Sequence, residues 1–270
     1  MTLPLLPTTL TEDQVQHWAN ELNAARLVAR ERDRISTEDK DFTLEDAYRI
    51  QEAGIALRMK ASEKVVGYKM GFTSEAKRTQ MGLKTPIYGT LTDGMWVQHG
   101  GYSLIGTIHP KAEPEIAFKT KKDLAGKISI AEAKEACEAV AAAIEILDSR
   151  FVGFKYFSLN DVVADNASSS HVLLSHWNRS FHDLDLEKVE MKFFINDKLV
   201  DTAFGSAISG NPWNSLCQLS ELMHSRGKVL PAGSVVLAGA PVQAVSLEPG
   251  MQVRSEVSGF EEAYFSVKTS

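Results

Sequence analysis

The spacing of apolar residues divides the chain into a helical first part and a longer part rich in strands. The first predicted helix carries its apolar stripe at Val15, Trp18, Leu22 and Ala25, and the second places Ala47, Ile50 and Leu57 on one face. Thr11 and Thr43 precede these helices, and threonine commonly caps a helix N-terminus. A polar linker at residues 36–42 joins them. We therefore predict a small helical unit, residues 1–62, that acts as a cap or an oligomerisation arm.

From about residue 64 the pattern changes to short runs rich in β-branched and aromatic residues, separated by glycine, proline and asparagine. The predicted strands are KVVGYKM, PEIAFKT, AAIEIL, KVEMKFFI, KLVDTAF, GSVVLAG, MQVRSEV and EAYFSV. Two helices interrupt them, at residues 129–142 and 212–227, and Asn196 with Asp197 forms a predicted hairpin turn. Residues 63–270 are therefore expected to form one β-rich domain that carries the chemistry, in a chain of the α+β class.

Composition and charge narrow the possible partners. The formal net charge is -6 and no long run of lysine or arginine occurs, which disfavours binding to nucleic acid or to an anionic membrane. Cys137 and Cys217 each lie in an apolar helical pattern without a metal-binding or redox spacing, so both are expected to be reduced packing residues. No apolar stretch approaches the length of a membrane span, and the N-terminus lacks a basic leader pattern. These features predict a cytoplasmic protein with no membrane partner.

Two glutamates, Glu113 and Glu115, interrupt an otherwise apolar predicted strand in HPKAEPEIAF, residues 109–118. Strand residues two apart point to the same side of a sheet, so their carboxylates must lie close together and repel. One interpretation is an edge strand with a solvated face. The apolar residues that follow, Ile116 and Phe118, favour a buried strand whose acids need a positively charged partner or a shared proton.

A third acid, Glu145, lies in the apolar run AAAIEILDSR, residues 141–150, where an isolated charge would be costly. Three carboxylates without cysteine form an oxygen-rich site that favours Mg²⁺ or Mn²⁺ over zinc. His109 could ligate the ion, act as a base or be structural. Asp148 and Arg150 could support the site or form a surface ion pair.

Lys69 interrupts an apolar strand between two glycines. Because glycine has no side chain, backbone or ligand can approach closely there, and the lysine is a candidate to face a ligand. Thr73 and Ser74 follow. Their hydroxyls could bind an anion such as a substrate carboxylate, or only cap a short helix over residues 75–82.

The segment DVVADNASSS, residues 161–170, predicts an apolar strand followed by a polar loop of the kind that binds ligands. No G-x-S-x-G pattern surrounds its serines and no histidine is placed for them by motif, which argues against a serine nucleophile. Composition alone does not assign this loop a ligand.

The ordered motifs G-Y-K-M-G-F-T-S, P-I-Y-G, E-P-E-I-A-F, I-E-I-L-D-S-R and A-D-N-A-S resemble the fumarylacetoacetate hydrolase superfamily over essentially the whole chain. The resemblance implies a mixed β-roll core and a divalent metal, Mg²⁺ or Mn²⁺, held by Glu113, Glu115 and Glu145. It places the expected catalytic residues, Lys69, Ser74 and Ser168, around the substrate. One departure is Ala238, where a second glycine is expected before Gly239; it affects how closely substrate approaches that turn and not the metal site.

Within this family the resemblance is to a branch of decarboxylases and hydratases that act in meta-cleavage breakdown of aromatic compounds. The sequence of residues 69–93 resembles the decarboxylases more than the hydratases, which favours decarboxylation of 2-oxo-3-hexenedioate to 2-hydroxypenta-2,4-dienoate and CO₂. The alternative is a hydratase that adds water to that dienol. A non-catalytic partner subunit is disfavoured because all three glutamates are present. A homo-oligomer and a complex with the pathway hydratase are also implied.

In the implied mechanism the metal chelates the 2-oxo group and adjacent carboxylate of this small 2-oxo dicarboxylate and stabilises the dienolate that CO₂ loss leaves. Lys69 would supply positive charge or a proton near the developing enolate oxygen. A Schiff base on Lys69 is less favoured because the metal already acts as the electron sink. Candidates for contacting the distal carboxylate are Lys77, Arg78 and Arg150.

Overall fold

The computed structural model describes residues 7–74, 78, 85–97, 100–154 and 158–269. Within these residues the α-helices are α1 (Glu12–Leu27), α2 (Ile35–Glu38), α3 (Leu44–Lys60), α4 (Ile130–Ala136), α5 (Leu159–Ala164) and α6 (Pro212–Ser225). The strands are β1 (Val65–Gly71), β2 (Ile87–Thr92), β3 (Lys111–Thr120), β4 (Cys137–Leu147), β5 (Ser169–Leu174), β6 (Glu190–Ile195), β7 (Lys198–Phe204), β8 (Val235–Leu237), β9 (Val245–Ser246), β10 (Gln252–Val257) and β11 (Ala263–Ser266). The short helix predicted over residues 75–82 and the candidate Lys77 lie outside the described residues, apart from Arg78.

The described strands form two sheets. The larger has the order β2-β1-β8-β3-β4-β5, with β9 paired to the start of β3, and it is mixed because β1 and β8 run parallel while its other pairs are antiparallel. The smaller, β11-β10-β6-β7, is antiparallel throughout. Helices together with a mixed sheet confirm the predicted α+β class. None of the described helices combines the length and the apolar character needed to cross a membrane.

The two predicted N-terminal helices are present as α1 and α3. Thr11 and Thr43 each form a capping box with the side chain three residues on, which satisfies backbone N–H groups of the first turn. The apolar stripe of α1 is buried. The linker is not wholly irregular, because the short helix α2 begins at Ile35 and occupies its first part. The division into residues 1–62 and 63–270 stays a prediction.

Helix α3 packs directly against the region that carries the larger sheet. Gln51 is buried, and its side-chain amide donates to the carbonyl oxygens of Tyr88 on β2, at 3.2 Å, and Val163 on α5, at 2.9 Å. The rings of Tyr48 and Tyr88 stack with their centroids 4.8 Å apart. The helical part thus shares one hydrophobic core with β2 and α5, and it supports the backbone next to the candidate site.

Two predicted elements differ from the structure. The helix predicted over residues 129–142 ends at Ala136, and Cys137 begins β4 instead. The alanine-rich run is buried and pairs with β3, so cross-strand pairing overrides its helical propensity. The apolar strand predicted at the start of residues 161–170 is wrong as well, since it forms the end of α5. Cys217 lies in α6 as predicted, and both cysteines are free thiols.

A proline and a glycine bound α6, and an asparagine and an aspartate form the predicted hairpin turn. Pro212 occupies the first turn of α6 behind the cap residue Asn211, and Gly227 follows the helix with φ of 70°. Asn196 and Asp197 both have positive φ, 51° and 58°, and join β6 to β7 in a two-residue hairpin turn.

Candidate metal centre

The three predicted glutamates come together on adjacent strands. The register of β3 and β4 places Glu113 directly opposite Glu145, and Glu115 lies two residues further along β3. One carboxylate oxygen of each lies within 4.8 Å of the others. Glu115 and Glu145 are fully buried and Glu113 is half-buried, so the interpretation of a solvated strand face is wrong. Three like charges in this volume require a compensating cation or a bound proton.

The partners of the carboxylates orient them and leave coordination capacity unused. Lys69 Nζ lies 2.9 Å from Glu145 Oε2, and Ser169 Oγ donates to Glu145 Oε1 at 2.8 Å. The backbone N–H of Gly239 donates to Glu115 Oε2 at 2.6 Å. Glu115 Oε1 is buried with no hydrogen-bond partner among the described residues. A buried carboxylate oxygen without a donor fits a metal ligand, and an all-oxygen donor set fits Mg²⁺ or Mn²⁺.

Lys69 alone does not balance the charges of the cluster when all three glutamates are ionised. Burial raises the pKa of Glu115 well above its ordinary value, and the neighbouring Glu145 and Glu113 raise it further. Burial alone would lower the pKa of Lys69, but the attraction of the three glutamates outweighs it and the pKa is raised. Lys69 therefore stays charged, yet one ammonium cannot neutralise three carboxylates. A divalent ion would complete the compensation.

Strand β1 holds Lys69 in place between β2 and β8, where it pairs with Gly89 and Leu237. A Cβ atom added at Gly89 would lie 3.2 Å from Lys69 Cδ and 2.6 Å from the carbonyl oxygen of Asn166. Glycine at this position thus makes room for the lysine stem. The sequence prediction emphasised the two glycines flanking Lys69 and missed this one, which is adjacent only through strand pairing.

A cavity of ≈ 330 Å³ opens next to the cluster. Its wall includes all three predicted catalytic residues, Lys69, Ser74 and Ser168, together with Glu113. The hydrophobic side chains of Met70, Ile87, Leu147 and Val162 complete much of the lining. The volume and the mixture of apolar wall and few polar groups are typical of a small-molecule site.

The loop that carries Ser168 has an unusual backbone. Asn166, Ala167 and Ser168 have consecutive positive φ values of 52°, 52° and 56°. Asn166 fastens the loop to β2 by accepting from the N–H of Thr90 at 2.8 Å and donating to its carbonyl oxygen at 2.9 Å. Non-glycine residues in this region are strained, and such strain is maintained only where the surroundings fix it.

Two other candidates lie elsewhere. His109 precedes β3, and its Nε2 lies 2.8 Å from Glu31 Oε2 instead of meeting the cluster. Asp148 is buried and accepts the backbone N–H groups of Ile108 and His109, which anchors the chain just before β3. It supports the strand that carries Glu113.

The candidate arginines are also engaged. Arg150 is buried and pairs with Asp165, so a surface ion pair between Asp148 and Arg150 is wrong. Arg78 donates to the carbonyl oxygens of Phe72, at 2.8 Å, and Thr73, at 2.7 Å. Arg78 and Arg150 are therefore occupied by the protein itself.

The sequence prediction missed several cavity residues, among them Lys111, Phe154 and Gln243. Lys111 precedes Glu113 by two residues and thus shares its strand face. The same spacing rule that paired Glu113 with Glu115 could have identified it.

Replacing Gly239 with alanine should destabilise the protein by about 1–3 kcal/mol and weaken the metal site. Gly239 has φ of 101°, and an added Cβ would lie 2.2 Å from Thr73 Oγ1, so either the turn or Thr73 must move. Movement of the turn would lengthen the hydrogen bond to Glu115. Chemical denaturation with and without Mg²⁺ measures both effects.

Gly106→Ala is the matched control, because Gly106 has a similar φ of 86° but no atom within 4 Å of an added Cβ. Equal losses in the two variants would show that the backbone angle alone matters at Gly239.

The chain is similar to proteins of known family along most of its length. Residues 74–268 match the fumarylacetoacetate (FAA) hydrolase C-terminal family. The chain is 42% identical over 231 residues to 4-oxalocrotonate decarboxylase from Pseudomonas sp, covering 85% of this chain and 89% of the relative. It is 32% identical to 2-hydroxyhexa-2,4-dienoate hydratase from Comamonas testosteroni, covering 92% and 94%.

Solved structures give the same result. The solved structure of 4-oxalocrotonate decarboxylase from Pseudomonas putida G7, complexed with magnesium and adipate, superimposes with a TM-score of 0.92 at 34% identity. The match covers 97% of this chain and 100% of the other. Motifs, sheet topology and these likenesses agree, and the chain belongs to the fumarylacetoacetate hydrolase family.

Proposed function

We propose that the protein is a metal-dependent carboxy-lyase that converts 2-oxo-3-hexenedioate (4-oxalocrotonate) to 2-hydroxypenta-2,4-dienoate and CO₂. The observation that carries the proposal is the buried cluster of Glu113, Glu115 and Glu145 with Lys69, set beside a cavity of ≈ 330 Å³. Relatives at 36–42% identity are named 4-oxalocrotonate decarboxylase, which gives the reaction. A role in aromatic catabolism is consistent with these names.

Glu113, Glu115 and Glu145 would hold Mg²⁺ or Mn²⁺. When bound, the ion supplies Lewis-acid polarisation of the substrate's 2-oxo group. The hydrogen bonds from Ser169 and Gly239 fix the directions of two of these carboxylates, so the ligand set is preorganised.

The remaining residues bind the substrate and stabilise charge. Lys69 is the residue that stabilises the developing enolate oxygen, because its ammonium is buried, charged and aimed at the cluster. Ser74 and Ser168 line the cavity and serve as polar contacts for the substrate. The apolar wall excludes water from the carbanion that forms when CO₂ leaves.

A hydratase is the second candidate, since 2-keto-4-pentenoate hydratase from Paraburkholderia xenovorans is 34% identical over 81% of this chain. It would use the same ligands but requires a group that positions water. Homo-oligomerisation, association with the pathway hydratase and a cytoplasmic location belong to the same proposal and rest on likeness to the family.

The deciding experiment uses purified, metal-stripped protein and 2-oxo-3-hexenedioate. We expect CO₂ release and dienol formation to begin only when Mg²⁺ or Mn²⁺ is added. Absence of CO₂, with consumption of supplied 2-hydroxypenta-2,4-dienoate, would contradict the decarboxylase and establish the hydratase.

A further inference from the structure

A second lysine of the cavity, Lys111, has no role in the reaction as described so far. It begins β3 and lines the cavity together with Glu113. Its Nζ lies 4.5 Å from the centre of the Phe154 ring. Within the described part of the chain, Lys111 forms no ion pair with a carboxylate, in contrast to Lys69.

The spacing of Lys111 from Glu113 on β3 is compatible with a six-carbon substrate that contacts both. Strand residues rise about 3.3 Å each, so the Cα atoms of Lys111 and Glu113 are about 6.6 Å apart on one face. The terminal carbons of an extended six-carbon dicarboxylate are about 6 Å apart. A substrate held by its 2-oxo acid end at the glutamate cluster can therefore span the distance to Lys111, whose flexible stem extends the reach of its ammonium.

We propose that Lys111 is the specificity-determining residue that binds the distal carboxylate of the 2-oxo dicarboxylate; this inference rests on the proposed function. The other described cations near the site are occupied: Lys69 by the glutamates and Arg78 by backbone carbonyl oxygens. The proposed contact with Lys111 would serve the decarboxylase substrate and not the hydratase substrate. The dienol substrate of a hydratase has no distal carboxylate and gains nothing from this lysine.

The chemistry predicts which kinetic constant Lys111 controls. The C–C bond to the distal carboxylate breaks, its electron pair stays on the substrate, and neutral CO₂ leaves. The ion pair with Lys111 is consequently strongest before the reaction and weakens toward the transition state. Such a contact favours substrate binding more than turnover, so its loss raises KM without a matching loss of kcat.

The test compares adipate, the saturated six-carbon dicarboxylate, with hexanoate, which lacks the second carboxylate, by titration calorimetry on Mg²⁺-loaded protein. In Lys111→Met we expect adipate affinity to fall about 10- to 100-fold while hexanoate affinity changes little. KM for 2-oxo-3-hexenedioate should rise by a similar factor. Lys111→Arg, which keeps the charge, should retain most of the adipate preference.

Lys121→Met is the matched control, because Lys121 is exposed and lies just beyond the far end of β3. Unchanged adipate affinity in Lys111→Met, or equal losses for adipate and hexanoate, would overturn the inference. The two proposals fail separately. If the wild type binds adipate through Lys111 but releases no CO₂, the proposed reaction is wrong and the dicarboxylate site stands. If the wild type releases CO₂ but Lys111→Met has the same adipate affinity and the same KM, only the role of Lys111 is refuted.

Discussion

Lys69→Met should lower the turnover of 2-oxo-3-hexenedioate by about 100-fold or more while the protein still binds Mg²⁺. The buried ammonium lies 2.9 Å from Glu145 Oε2 and forms an ion pair with this ligand. Its removal takes away a preorganised charge where the enolate oxygen develops. The same removal leaves the three carboxylates more negative, so Mg²⁺ affinity should be unchanged or higher. CO₂ release and calorimetric titration of Mg²⁺ measure the two quantities.

Lys64→Met provides the control for the loss of one positive charge, because Lys64 is exposed and immediately precedes β1. Unchanged turnover in Lys69→Met would remove Lys69 from the reaction. Loss of Mg²⁺ binding would instead assign it a structural role in holding Glu145. Borohydride trapping adds a further test: a reduced substrate adduct on Lys69 would establish the disfavoured Schiff base.

The candidate site was predictable where it depends on local spacing. Two glutamates two residues apart share a strand face whatever the rest of the fold, so Glu113 and Glu115 could be paired from sequence alone. Glu145 could be identified as costly to bury, but its position opposite Glu113 depends on the register of β3 with β4. Only the folded sheet determines that register.

The errors arose where tertiary contacts override local preference. Three of the six residues 137–142 are alanine, which favours a helix in isolation, but they form a strand because they pair with β3. His109 was considered as a possible ligand or base, but β3 begins only at Lys111, so His109 lies outside the strand. Lys111 was overlooked for the same reason, because its position relative to the cluster depends on where β3 begins.

Glu115→Gln should abolish most metal binding and yet make the metal-free protein more stable. Glutamine keeps an oxygen that can accept the N–H of Gly239 but removes one of three neighbouring negative charges. Loss of a residue that only hydrogen-bonds to a metal ligand typically lowers metal affinity at least about 10-fold. Glu115 is itself a proposed ligand, so we expect Mg²⁺ affinity to fall by at least this factor. CO₂ release should fall with it. Glu138→Gln is the control, because Glu138 lies on β4 outside the cluster and undergoes the same chemical change.

The sign of the stability effect follows from proton linkage. The pKa of Glu115 in the metal-free fold is raised above its ordinary value of 4.5 by burial and by the neighbouring glutamates. The folded state therefore binds this proton more tightly than the unfolded chain, and the wild type loses stability as pH rises above 4.5 toward the folded pKa. Glutamine imitates the protonated form, so the advantage of Glu115→Gln should grow over the same range of pH.

Denaturation with and without metal separates function from stability in this variant. Mg²⁺ at 100 times its dissociation constant should stabilise the wild type by about 2.7 kcal/mol and stabilise Glu115→Gln far less. In the absence of metal the order should reverse, with the variant more stable at neutral pH. Full Mg²⁺ stabilisation of the variant would show that Glu115 is not a ligand. A metal-free variant less stable than the wild type would show that the hydrogen bond to Gly239 outweighs the repulsion, and that the buried acids are not held together at the expense of folding stability.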